Sequence, residues 1–182
     1  MPSMRGKWAA GIPPRNFAWV IKDHLAVSER PGGYARNHRR VRRQEELFWL
    51  RGNGFTRVLS LLSSPHNLHA YDELDIPWSH FPLGTPTDTR ELLSDLYCQI
   101  DGWLDQGDKL LLHQEELSDV VMGVAAGYLL WSGRVIAGPQ AVASMEQIIK
   151  RQMGPPGRQL VAQVPLLRSG WPRAGAGGDD RG

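Results

Sequence analysis

Apolar and polar positions change period several times along this chain, and each change marks an element. FAWVIKDHLAVS (residues 17–28) reads as two short strands around a Lys22-Asp23 turn. ERPGGYARNH follows as a loop built on Pro31, Gly32 and Gly33. HRRVRRQEELFWLR (38–51) has helical spacing, with Val41, Leu47, Phe48 and Leu50 as the predicted inward stripe. FTRVLSLLS (55–63) is a short, nearly continuous apolar run, the pattern of a strand buried on both faces. SPHNLHAYDELDI reads as a loop and a short helix, and Trp78–Leu83 as another strand.

A helix is predicted over residues 89–105, where Leu92, Leu93, Leu96, Ile100 and Leu104 recur at helical spacing and Thr87 or Asp88 can cap the start. Gly107 stops it. A strand over 109–113 leads through a polar turn into a helix over about 119–132 that ends at Gly133. The last predicted helix, 138–154, carries Ala141, Met145, Ile148 and Ile149 on one face. Strands alternating with helices predict an α/β fold with a small, mainly parallel sheet flanked by helices. Residues 1–14 read as a flexible lead, 15–163 as the folded domain, and 164–182 as a Gly/Arg-rich tail without a core of its own.

Composition narrows the classes. Of 182 residues, 41% are hydrophobic and 22% charged, which suits a globular core, and a net charge of +2 gives no general case for nucleic acid. Cys98 is the single cysteine, so neither an intramolecular disulfide nor a cysteine-rich metal site can form. With no signal-peptide pattern and no membrane-length apolar run, the expected setting is cytoplasmic. Cys98 sits in a predicted amphipathic helix, where a lone thiol is more often a packing residue than a nucleophile.

Four segments in order bring a resemblance. They are NFAWVIKDHLAVSERPG, GFTRVLSLL, WSHFPLGTPTDT and KLLLHQEELSDVVMGVAAGYLLWSG, spread over roughly residues 15–160. Together they resemble the dual-specificity branch of the protein tyrosine phosphatase family. In that family the last segment carries H-C-x-x-G-x-x-R followed by Ser or Thr. The thiolate attacks phosphorus, its pKa depressed by the loop amides and helix N-terminus, while the arginine clamps the phosphate oxygens.

Here His113 keeps the family histidine, but Gln114 stands where the cysteine belongs. Leu117 replaces the glycine, Val120 the arginine and Val121 the hydroxyl residue. The acid-loop aspartate position falls on Thr85, with Asp88 nearby. Glutamine is no nucleophile, and Glu115, Glu116 and Asp119 add charge that repels a phosphate dianion. The resemblance therefore implies the fold without the chemistry: a pseudophosphatase acting as a binding or regulatory module, with no catalytic residues and no cofactor expected. The alternative is a hydrolase of the same fold using a non-cysteine route, with metal-activated water.

Three surfaces are candidates for binding. His66, Asn67, His69, His113, Gln114, Glu115, Glu116 and Asp119 can line a degenerate pocket. Within it His66 and His69 are weak metal candidates, since histidines three apart equally serve to satisfy loop backbone. The acids suit a cation or a basic peptide, or simply complement a helix N-terminus. The dense run Arg36, His38, Arg39, Arg40, Arg42 and Arg43 is either an anion or acidic-partner surface, or a charged helix face partnered by Glu45 and Glu46. Sequence-specific nucleic-acid binding is not expected, because no recognised module accompanies the arginines. Trp8 and Trp171, in the two tails, are candidate partner anchors. The identity of the protein or anionic ligand and the oligomeric state are not legible in the sequence.

Overall fold

Asp23, at φ 63°, lets the chain reverse between β1 (Ala18–Ile21) and β2 (Leu25–Glu29), which pair antiparallel. A short polar side chain tolerates the left-handed region better than a branched one, so the Lys22-Asp23 turn falls where its chemistry predicts. The computed structural model describes residues 11–34, 36, 38–65, 68–83 and 86–167, the side chains of 86–88 excepted. The chain divides into two units: Met1–Leu83 with Gly102–Ser118, and Gly84–Asp101 with Asp119–Gly182.

The first unit holds a five-stranded sheet in the order β1-β2-β5-β3-β4, where β3 is Arg57–Ser60, β4 Trp78–His80 and β5 Leu110–Gln114. All pairings after β1–β2 are parallel. β5 is central: Leu110–Leu112 lie in register with Leu25–Val27 on one side and with Arg57–Leu59 on the other. Interior parallel strands need apolar residues on both faces, hence LAV, VL and LLL in the middle of the sheet.

The helix α1 (Arg40–Gly52) and a 3-10 helix (Leu68–Leu74) carry the apolar residues that cluster with the sheet: Leu47 and Leu50 join Ala26, Val58, Leu111, Leu68 and Tyr71. An aromatic group closes one part of this core. Phe17 meets Trp19 and Trp49 edge-on at 5.2 and 5.1 Å, and Trp19 stacks on Phe55 at 5.5 Å.

The inward stripe of α1 differs from the expected one. Leu47 and Leu50 are buried, but Val41 and Phe48 are 67% and 51% exposed. The third buried position is Glu46, whose carboxylate accepts hydrogen bonds from the Gly32 N–H and the Arg42 Nε–H. A partnered carboxylate can occupy a core-facing position, so the buried side of the helix runs through Glu46, Leu47 and Leu50. Helical spacing puts Val41 and Phe48 on the side opposite Glu46 and Leu50.

The second unit is helical, with α2 (Pro86–Asp105) running across the division, followed by α3 (Asp119–Trp131), α4 (Gly138–Ile149) and α5 (Pro155–Gln163). From Val121 onward every residue of α3 is buried, as expected for a helix apolar on all sides. Its glycines set the spacing. A Cβ on Gly123 would lie 2.5 Å from the Gly157 carbonyl oxygen, so α3 and α5 meet backbone to backbone. Gly127 makes room for the Tyr97 hydroxyl, which donates to the Val124 carbonyl at 2.9 Å.

The predicted helix over 138–154 ends early: Lys150, at φ 63°, stops α4 at Ile149, and a further helix that the sequence reading did not predict, α5, opens at Pro155-Pro156. Proline lacks only an N–H that the first helical turn leaves unpaired, so the pair is a start signal. Val164, beyond α5, is fully buried.

Candidate functional site

The site grows from the end of β5. His113 pairs with Ser28 and Ser60 in the sheet register and is fully buried. Its Nδ1–H donates to the Gln114 carbonyl at 3.1 Å, which fixes the tautomer and leaves Nε2 to accept the Tyr71 hydroxyl at 3.1 Å. Burial pushes its pKa down to about 4, so it is neutral at physiological pH, and burial drives the Tyr71 phenol well above its ordinary value. Both ring nitrogens are used, which leaves no lone pair for a metal or for proton transfer to a ligand.

Gln114, half-buried, accepts the Ser118 hydroxyl on Oε1 at 2.8 Å. The side chain at the position that the resemblance gives to the nucleophile is thus tied across its own loop. The two acids that follow are exposed and gripped by the loop after β2. Arg30 reaches Glu115 Oε1 at 3.2 Å, while its backbone N–H donates to the Glu115 carbonyl at 3.2 Å. The Tyr34 hydroxyl donates to Glu116, and this bond raises the phenol's pKa. One guanidinium against two carboxylates leaves the loop acidic. A further unit of negative charge about 4 Å from one carboxylate costs on the order of 4 kcal/mol near a protein surface.

The grip has its own support. Glu46 receives the Gly32 N–H at 2.7 Å, in the same segment as Arg30 and Tyr34, and shares Arg42 with Glu29 at 3.7 Å. Glu29 and Glu46 are 8% and 0% exposed. Burial raises the pKa of Glu46 more than the Gly32 and Arg42 bonds lower it. The predicted Arg42–Glu46 pair forms at i,i+4, but inside the protein rather than on a solvated face.

The other candidates fall as follows. His66, Asn67 and Thr85 lie outside the described residues, as does the side chain of Asp88. His69 is exposed on the 3-10 helix. Among the described residues no three His, Cys, Asp or Glu side chains are grouped as a metal site. Leu117 and Val120 are half-buried. Asp119, in the second unit, accepts the Gly154 N–H at 3.0 Å and Arg151 at 2.7 Å, which lower its pKa in that order. Cys98 is exposed on α2, and partial burial with Asp95 and Asp101 nearby raises its pKa, the opposite of what a thiolate nucleophile needs.

Of the basic run, Arg36, Arg39 and Arg40 are exposed. Arg42 is committed to the two buried glutamates, and Arg43 Nη1 lies 3.3 Å from His38 Nε2. Sequence reasoning missed Tyr71, Arg30, Tyr34 and Glu29. Each acts across a long stretch of chain, and nothing in its local pattern marks it.

A mainly parallel sheet with this strand order, and a loop between β5 and the following helix, is the fold of the dual-specificity phosphatases. Solved structures agree. Kinase associated phosphatase, with its catalytic cysteine substituted by serine, superposes with a TM-score of 0.68 at 19% identity, covering 82% of this chain and 93% of that one. Tk-PTP in its active form gives 0.65 at 15%, over 82% and 95%. The human tyrosine phosphatase-like serine/threonine/tyrosine-interacting protein gives 0.61 at 14%, over 82% and 93%. At such identities the likeness is one of fold. No protein-family model and no curated protein sequence matches the chain. Among the described residues no helix is long and apolar enough to cross a membrane.

Proposed function

We propose that this protein is a pseudophosphatase, a phosphatase fold without phosphatase activity that serves as a cytoplasmic binding or regulatory module. The observation that carries the reading is Gln114, at the position the resemblance gives to the nucleophile, tied by its side chain to Ser118. Around it His113 is neutral and doubly bonded, and Glu115 and Glu116 are exposed on the same loop. Covalent catalysis needs a thiolate and a guanidinium there, and this loop supplies carboxylates instead. One of the similar structures is itself described as phosphatase-like and as an interacting protein, which is in keeping with such a role. The alternative route, water activated by a metal on His66, His69 and His113, is weakened because His113 has no nitrogen to give.

Turnover of p-nitrophenyl phosphate by the purified full chain, with and without added divalent metal, tests this. No hydrolysis above the blank is expected in either condition. Hydrolysis that tracks the protein and disappears in Gln114→Ala would overturn the reading.

A further inference from the structure

The side of α1 that faces away from its core contacts is not polar. Val41 and Phe48, 67% and 51% exposed, are seven residues apart, about two turns, so their side chains stand in line. Ile12, 39% exposed, lies against the same helix: its N–H donates to the Glu45 carbonyl at 3.3 Å. Gly11 runs so close to α1 that a Cβ on it would lie 2.2 Å from the same carbonyl oxygen, which fixes the segment against the helix. The result is a short apolar strip within the first unit.

Cations flank one edge of the strip. Arg40 and Arg51 are exposed on α1 about a quarter turn from Val41 and Phe48, and Arg36 and Arg39 are exposed just before the helix. Arg39 Nη1 reaches the carbonyls of Arg36 and His38 at 3.0 and 3.4 Å. Among the described residues none of these four arginines is paired with a carboxylate, and Glu45 is the one acid that helical spacing puts on this side. Apolar surface flanked by like charge disfavours self-association, because a second copy would set arginine against arginine. Residues 1–10 hold Arg5 and Lys7 and no acid, so their charge does not complement these arginines.

We infer that this face of α1 docks an acidic, amphipathic helix of a partner protein. Apolar side chains of the partner sit on Val41 and Phe48, and its carboxylates meet Arg36, Arg39, Arg40 and Arg51. The inference deepens the binding-module reading, on residues separate from the Gln114 loop.

The test is fluorescence anisotropy with the full chain and a fluorescein-labelled peptide of about four helical turns, with Leu and Phe on one face and Glu on the other. A Lys-for-Glu peptide and phosphatidylserine vesicles run in parallel. The Glu peptide is expected to bind, and to weaken about tenfold or more in Val41→Ser/Phe48→Ser, in Arg40→Glu, and on moving from low to moderate salt. Ile136→Ser, which alters a 91% exposed apolar residue of the second unit, is expected to bind as wild type. Equal binding of the Lys peptide, no effect of either α1 variant, or capture by vesicles without capture of the peptide would each overturn the inference. Phosphate-ester turnover alongside intact peptide binding would refute the inert reading and leave this one standing. Inert protein that ignores the peptide would do the reverse.

Discussion

Arg42→Met tests whether the buried charge cluster holds the Arg30–Tyr34 segment in place. The substitution keeps most of the side-chain length but removes the guanidinium from Glu46 and Glu29. Glu46, fully buried, is then left with the Gly32 N–H at 2.7 Å. Removing one partner of a buried pair costs about 3–5 kcal/mol, because the remaining charge is uncompensated. For a chain of this size that lowers Tm by roughly 10 °C. The loss depends on pH in a fixed direction. Burial already raises the folded pKa of Glu46 above its ordinary 4.5, so the folded state binds a proton that the unfolded chain releases. Stability therefore falls as pH rises from about that value through the folded one, and without Arg42 the window reaches higher. Urea melts of wild type and variant at about pH 5 and pH 7.5 read this directly, with the larger deficit expected at the higher pH. Adding Glu46→Gln is expected to recover a substantial part of the loss. A deficit below about 1 kcal/mol at the higher pH, or one equal at both, would refute the argument from burial.

Four further outcomes follow from the same geometry. His113 is held neutral with a pKa near 4, below its ordinary 6.5, so stability is full above that ordinary value and about 3 kcal/mol is lost as pH falls through the interval; a His113→Asn variant that keeps the same pH profile of unfolding would contradict this. Tyr71→Phe leaves Nε2 of His113 without its donor and is expected to cost about 1–3 kcal/mol in denaturant melts. Gly123→Ala sets a Cβ 2.5 Å from the Gly157 carbonyl and is expected to destabilise by about 1–3 kcal/mol, whereas Gly52→Ala at the end of α1, with open space around it, is expected to be neutral or slightly stabilising. Gln114→Cys alone is expected to give no p-nitrophenyl phosphate turnover, since Val120 offers no guanidinium and Glu115 and Glu116 remain; measurable turnover would mean the acidic loop still accepts the anion.

The strands and most helices were legible because their signals are local. Asp23 and the neighbouring Lys22 mark a reversal, Leu110–Leu112 spell an interior strand, and Gly133 stops α3, each through the conformational preference of a few adjacent residues. The departures from the resembling family's signature were legible for the same reason, as Gln114, Leu117 and Val120 stand at fixed offsets from His113. α5 escaped because Pro155-Pro156-Gly157 reads as a break, and only the close approach of Gly157 to Gly123 shows what those small residues serve.

The orientation of α1 belonged to the tertiary structure. Its sequence allows Val41 and Phe48 to face inward as readily as Leu47 and Leu50, and the choice fell to Glu46, whose burial is tolerable only with Gly32 and Arg42 beside it. The pairings of Tyr71 with His113 and of Arg30 with Glu115 are likewise separated by 42 and 85 residues. Periodicity encodes which side of an element is apolar. Which polar groups become affordable inside depends on partners that only folding brings within hydrogen-bonding distance.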